Sequence, residues 1–198
     1  MAKINQQQLR IIGGRWRSRR LRFPVVDGCR PTLDRVRETL FNWLQYDIDG
    51  AHVLDAFAGS GALGLESLSR GAKSVIFIEK HPKVALQLKN NLEILETQDA
   101  QVWAADSIQW LTENSRLFDV VFLDPPFHKN LLQPAIDALN LVAGAKIYIE
   151  YESTLKPKVP DHWLPCRSKS TKEFTFALYE VGDEIKDSVE KKKDNSNH

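Results

Sequence analysis

At 198 residues, 42% hydrophobic and 27% charged, the chain has the size and balance of one α/β domain with short appendages and a substantial core. No run approaches the roughly eighteen apolar residues of a membrane span, and the basic, polar N-terminus lacks the apolar stretch of a signal peptide, so a cytoplasmic protein is expected. The net charge of +1 hides a polarised chain: residues 1–37 hold ten Lys or Arg against Asp27 and Asp34, a formal +8, while the remainder carries −7. Cys29 and Cys166 have no Cys or His partner at metal-ligand spacing, so both read as reduced structural thiols and no metal is expected.

In chain order, residues 1–30 form a basic arm. Arg10, Arg15, Arg17, Arg19, Arg20 and Arg22 place six arginines within thirteen residues, with no acid among them and with Trp16 in their midst. Guanidinium groups grip phosphates and an indole stacks on a base, so these seven residues are the expected nucleic-acid contact; the plain alternative is a solvated charged face. Gly13-Gly14 permits a tight turn, which predicts a basic hairpin. Thr32 is a good N-cap for a helix over 33–46, whose N-terminus would also close over a cofactor carboxylate.

Strand-like runs at 53–57, 74–79, 101–104, 118–123 and 145–150 alternate with helical patterns at 62–70, 82–95, 107–113 and 130–142, which predicts a parallel, doubly wound sheet. Helix 82–95 opens at Pro82 and repeats Val84, Leu88, Leu92 and Leu95 along one face. The run 174–179 has no room for another crossover helix and should pair antiparallel with 163–169, whereas 183–198 reads as a disordered tail. The expected division is therefore arm 1–30, catalytic domain 31–182 and tail.

Two motifs carry chemistry. The first strand runs through Asp55, Phe57, Gly59 and Gly61 into a helix, and Gly59-x-Gly61-x-x-Gly64 matches the dinucleotide fingerprint. Asp55 argues against a phosphate beside that turn and for a cation, so S-adenosylmethionine, with its ammonium and sulfonium, fits better than NAD. Glu79, twenty residues after Gly59, stands where a ribose-hydroxyl acceptor is expected for either cofactor. Asp106 either accepts from an adenine amine or caps the next helix, and both roles are compatible. Lys80 and Ser107 adjoin these two acids. The second motif is Asp124-Pro125-Pro126-Phe127 after the apolar run 120–123. Two prolines remove two N–H donors, leaving a carboxylate, a stiff carbonyl and a ring, which suit a flat heterocycle with an exocyclic NH2.

The segments R-I-I-G-G-x-W-R-x-R at 10–19, R-P-T-x-D-R-V-R-E-T-L-F-N-W-L at 30–44, L-D-A-F-A-G-S-G-A-L-G-L-E at 54–66 and D-P-P-F at 124–127 closely resemble the bacterial RsmD family. Those are 16S ribosomal RNA guanine(966)-N2 methyltransferases, and the match is collinear from about residue 10 to 180. The resemblance implies a seven-stranded class I, Rossmann-like methyltransferase fold, S-adenosylmethionine as donor and a guanine of small-subunit rRNA as acceptor, with the assembled subunit as partner; a monomer is the separate expectation for the chain. It also implies that Asp55, Gly59 and Gly61 line the methionine end, that Glu79 takes the ribose and Asp106 the adenine region, and that Asp124 to Phe127 hold the base. Among rival readings, adenine N6 is separated from guanine N2 only by this resemblance. A glutamine-amide methyltransferase is disfavoured by the arm, and an RNA-binding module or a dehydrogenase by the motifs.

Overall fold

The computed structural model describes residues 6–24 and 34–183. Expectations for Thr32, for the start of the first helix and for the tail beyond Asp183 lie outside the described residues.

The N-terminal arm is an antiparallel hairpin of β1 (Gln6–Arg10) and β2 (Arg20–Pro24), followed by α1 (Asp34–Trp43). Then come β3 (His52–Asp55), α2 (Ala62–Ser69), β4 (Ser74–Ile78), α3 (Pro82–Ile94), β5 (Ala100–Trp103), α4 (Ser107–Glu113), β6 (Val120–Leu123), α5 (Leu132–Ala138), β7 (Lys146–Glu152), β8 (Trp163–Ser170) and β9 (Phe174–Val181). The main sheet has the order β5-β4-β3-β6-β7-β9-β8. Strands β3 to β7 are parallel, and β9 enters antiparallel between β7 and β8. With no helix between β7 and β9, the chain can return only by the β8–β9 hairpin, which is why the last strands reverse direction.

Alternation along the strands buries both faces of the sheet, as a parallel sheet between helices requires. Val53, Phe77, Phe122, Tyr148 and Phe176 join one core with α1, α2 and α3; Leu54, Ile76, Leu123 and Ile149 join the other with α4 and α5. The α3 stripe is as expected: Val84, Leu88, Leu92 and Leu95 are all buried. Helix α5 is shorter than the 130–142 pattern, because Asn130 has a φ of 53° and Leu139 is already extended.

The hairpin does not pack as a separate unit. Leu9, Ile11, Trp16, Leu21 and Phe23 belong to the first core, so the arm extends the helical layer on that face. Its connection also departs from a two-residue turn at Gly13-Gly14: residues 11–19 form a longer loop seated on α2. The Arg15 amide donates to the Ser69 carbonyl at 2.7 Å and the Trp16 amide to Ser69 Oγ at 3.0 Å. Ser69 Oγ donates in turn to the Gly13 carbonyl at 2.5 Å. Gly14 has a φ of 74°, and a Cβ there would lie 1.8 Å from the Ser69 oxygen, so glycine is required for close approach. The fully buried Glu66 completes the clasp, accepting the Ile12 and Gly13 amides at 2.8 Å each and Arg70 Nε at 2.7 Å.

Candidate active site

The chain leaves β3 outward to β4 and β5, then returns to place β6 on the other side of β3. Ligands of open α/β sheets bind at such a reversal, outside the carboxyl ends of the strands. Here four adjacent strands each end near one acid: Glu79 after β4, Asp55 in β3, Asp124 after β6 and Glu150 in β7. Each follows by two a first-core residue (Phe77, Val53, Phe122, Tyr148), so alternation sends all four toward the same face. They line one cavity of about 880 Å³ together with Phe57, Gly59, Lys80, Asp106, Ser107 and the whole of Asp124-Pro125-Pro126-Phe127.

Burial is the dominant influence on Asp55, whose carboxyl is pushed up to about 7. The charges of Asp124 and Glu79 add to that rise, and the Gly64 amide, 3.0 Å from Oδ2, opposes it. Glu150 is pushed up to about 8, first by burial and then by Asp124, while the Tyr148 hydroxyl, 2.8 Å from Oε2, acts against the rise. Two buried carboxyls, Asp55 and Glu150, beside the half-buried Asp124 and Glu79 make an electrostatically costly row, and a positively charged ligand relieves it.

Glu79 braces the glycine turn: Oε2 accepts the Gly59 amide at 2.9 Å and Oε1 the His81 amide at 2.6 Å. Each carboxylate oxygen can still accept a second hydrogen bond, so ribose hydroxyls remain compatible with this bracing. Asp106 has the expected capping role, accepting from the Ile108 and Gln109 amides at 3.0 and 3.2 Å, and its other oxygen meets Lys80 Nζ at 2.9 Å. The Lys80 hydrogen bond, followed by that from the Gln109 amide, holds the Asp106 carboxyl below the usual carboxylate range. Gly61 is not among the cavity residues. It has a φ of 77° at the head of α2, and a Cβ there would come 2.5 Å from Leu88 Cδ1, so it shapes the turn by close packing on α3.

At the other end of the cavity Phe127 is half-buried, its ring 6.1 Å from that of Phe174 and tilted by 43°. Phe174, Glu173 and Glu150 line the cavity and were not singled out from sequence. The pairing of Glu152 with Phe174 and of Glu150 with Phe176 brings them in. A glutamate within the apolar run of β7 was the available signal for Glu150. His128 stands at the rim, its amide 2.5 Å and its Nδ1 3.0 Å from the Glu152 carboxylate.

The arm presents Arg10, Arg15, Arg17, Arg19, Arg20 and Arg22 on its exposed surface. Arg15 reaches Asp99 at 3.5 Å and Arg19 the Ile94 carbonyl at 3.4 Å, which lays part of this basic face over the end of α3. Trp16 corrects the sequence expectation. Its indole is 9% exposed and lies in the core under the Arg15 guanidinium, 4.2 Å from the ring centroid, so it anchors the arm and offers no open stacking face.

The family model described as conserved hypothetical protein 95 matches residues 9–180. Ribosomal RNA small subunit methyltransferase D of Haemophilus influenzae is 45% identical over 181 residues, covering 87% of this chain and 94% of that protein. Its Escherichia coli K12 namesake is 44% identical over 178 residues, covering 87% and 90%. Among solved structures, the Escherichia coli yhhF protein superposes with a TM-score of 0.81 at 43% identity, covering 89% of this chain and 99% of its own. A family model spanning nearly the whole chain, relatives this similar and the row of acids at the sheet's reversal agree: the chain belongs to the RsmD family of methyltransferases.

Proposed function

We propose that the protein methylates the exocyclic N2 of a guanine in small-subunit ribosomal RNA, using S-adenosylmethionine, in the cytoplasm where ribosomes are assembled. The observation that carries this reading is the row of carboxyl groups, with Asp55 and Glu150 buried, that shares one cavity with Asp124-Pro125-Pro126-Phe127. Its Glu79–Asp55 half suits a ligand carrying a sulfonium, an ammonium and a ribose. The Phe127–Phe174 half suits a flat base.

The residues present fit the cofactor. Asp55 is held for a cation, Glu79 braces the turn where ribose hydroxyls would lie, and Lys80 with Asp106 borders the adenine end. Bound there, S-adenosylmethionine supplies a methyl group already activated by its sulfonium charge.

The protein's own task is the acceptor. Guanine N2 is a weak nucleophile because its lone pair is delocalised into the ring. Asp124 and the Pro125 carbonyl accept hydrogen bonds from the two N2 hydrogens, an alignment that improves as the nitrogen becomes tetrahedral and so favours the transition state; the proton that the methylated nitrogen must lose is by then acidic and leaves along the Asp124 hydrogen bond. Phe127 stacks on the base, which has to leave any helix to enter the cavity. The exposed arginines of the arm grip the surrounding phosphates, and the assembled small subunit is the natural partner.

The test is to incubate the protein with labelled S-adenosylmethionine and undermethylated small subunits, digest the RNA and identify the methylated nucleoside. N2-methylguanosine is expected. N6-methyladenosine would overturn the assignment.

A further inference from the structure

Glu150 is 8% exposed, lies beside another acid and is held by a tyrosine, yet the transfer step above does not use it. A buried acid of that kind is unfavourable unless a ligand engages it. Its position says which ligand atom that would be. The cofactor side of the cavity is the Glu79–Asp55 side, so a base with its amine at Asp124 has to extend the other way, toward β7. Register places Leu123 opposite Ile149, and the next residues along the two parallel strands are Asp124 and Glu150. Glu150 therefore stands next to Asp124 on the line that the edge of the base must follow.

Resting on the guanine reading above, we propose that Glu150 is a specificity-determining residue that reads the Watson–Crick edge of the target base, accepting guanine N1–H and contacting O6. Guanine presents N2–H2, N1–H and O6 in that order. The Glu150 oxygen accepts N1–H, and a carboxyl group that retains its proton also donates to O6. The push of Glu150 up to about 8 supplies that proton near neutral pH. Adenine, with its 6-amine placed at Asp124, presents N1 without a hydrogen and then C2–H, so a carboxyl group finds at most one partner on it. Tyr148, donating to Oε2, fixes the rotamer; Oε2 keeps a second lone pair for N1–H, and Oε1 carries the proton donated to O6.

The test compares small subunits reconstituted with rRNA carrying either guanine or 2-aminopurine at the target position. 2-Aminopurine keeps the methylatable amine but lacks N1–H and O6. Wild type should favour guanine in kcat/KM by roughly 10- to 100-fold, the scale of one well-made base-edge contact. Glu150→Leu should lower guanine methylation and collapse that preference to within a few-fold. Glu150→Gln, whose amide offers the same acceptor and donor, should retain it. Thermal protection by S-adenosylhomocysteine should persist in both variants and reports their folding; if the Leu variant fails that check, Glu150→Ala takes its place. A residue that only supported the sheet would depress both substrates equally, so an undiminished preference in the Leu or Ala variant overturns the proposal, as does a collapsed preference in Glu150→Gln. Absence of N2-methylguanosine with the wild-type protein would instead overturn the guanine reading itself, before any variant is compared.

Discussion

Replacing Asp55 by Asn should make the ligand-free protein more stable at pH 8 while weakening its cofactor site. The asparagine side chain would keep an oxygen for the Gly64 amide, which Asp55 now engages at 3.0 Å, and would remove the buried charge. The Asp55 carboxyl is held at about 7 instead of 3.8, so between those values the folded state binds more protons than the unfolded state and stability falls as pH rises. Above pH 7 the ionised form costs ~4 kcal/mol, an upper bound because Asp124 and Glu79 relax with it. Even half of that should raise Tm by ~4–8 °C at pH 8, and the gain should shrink as pH falls through 7 and be gone only below about pH 3, under the unfolded value of 3.8, where both states hold the proton. Thermal melts of wild type and variant at the two pH values, with and without S-adenosylmethionine, make the measurement. The cofactor should protect wild type strongly and the variant weakly, and NAD should protect neither. A stability change equal at both pH values would refute the buried-charge argument, and full cofactor protection of the variant would refute the cationic-ligand assignment.

Three further outcomes are expected. Asp124→Ala should leave cofactor protection near normal while turnover falls by ~10²-fold or more, and Phe127→Leu should impair base positioning more than Phe127→Tyr; single-turnover methylation rates separate these effects. Gly14→Ala should unseat the arm from α2 at ~2–4 kcal/mol, from overpacking against the Ser69 carbonyl plus the left-handed backbone penalty, seen as protease cleavage within 11–19 with cofactor protection retained. Replacing Arg17, Arg20 and Arg22 by Gln should weaken RNA binding at moderate salt and flatten log K against log salt by ~2, at ~0.7 to 0.9 per phosphate contact; parallel slopes would mean the arm is not the RNA contact.

The α/β alternation, the α3 stripe, the antiparallel β8–β9 hairpin and the two chemical motifs were legible in the chain because each is set locally. Period-2 and period-3.6 patterns, glycine turns and paired prolines constrain only their own neighbours in sequence. Asp106 as a cap was legible for the same reason, since its partners lie two and three residues away. Trp16 was misread because its neighbours in sequence are arginines, whereas its neighbours in space are the first core and α2. Gly13-Gly14 looked like the apex of a hairpin, but what requires Gly14 is a carbonyl on Ser69, fifty-five residues away. Only the tertiary structure set Glu79, Asp55, Asp124 and Glu150 in one row, since that row depends on sheet order, and sheet order is a matter of which strands, distant in sequence, pair edge to edge. The raised carboxyls of Asp55 and Glu150 follow from the same cause: desolvation and the charge of neighbours on adjacent strands are properties of the packed sheet, and no segment of the chain carries them alone.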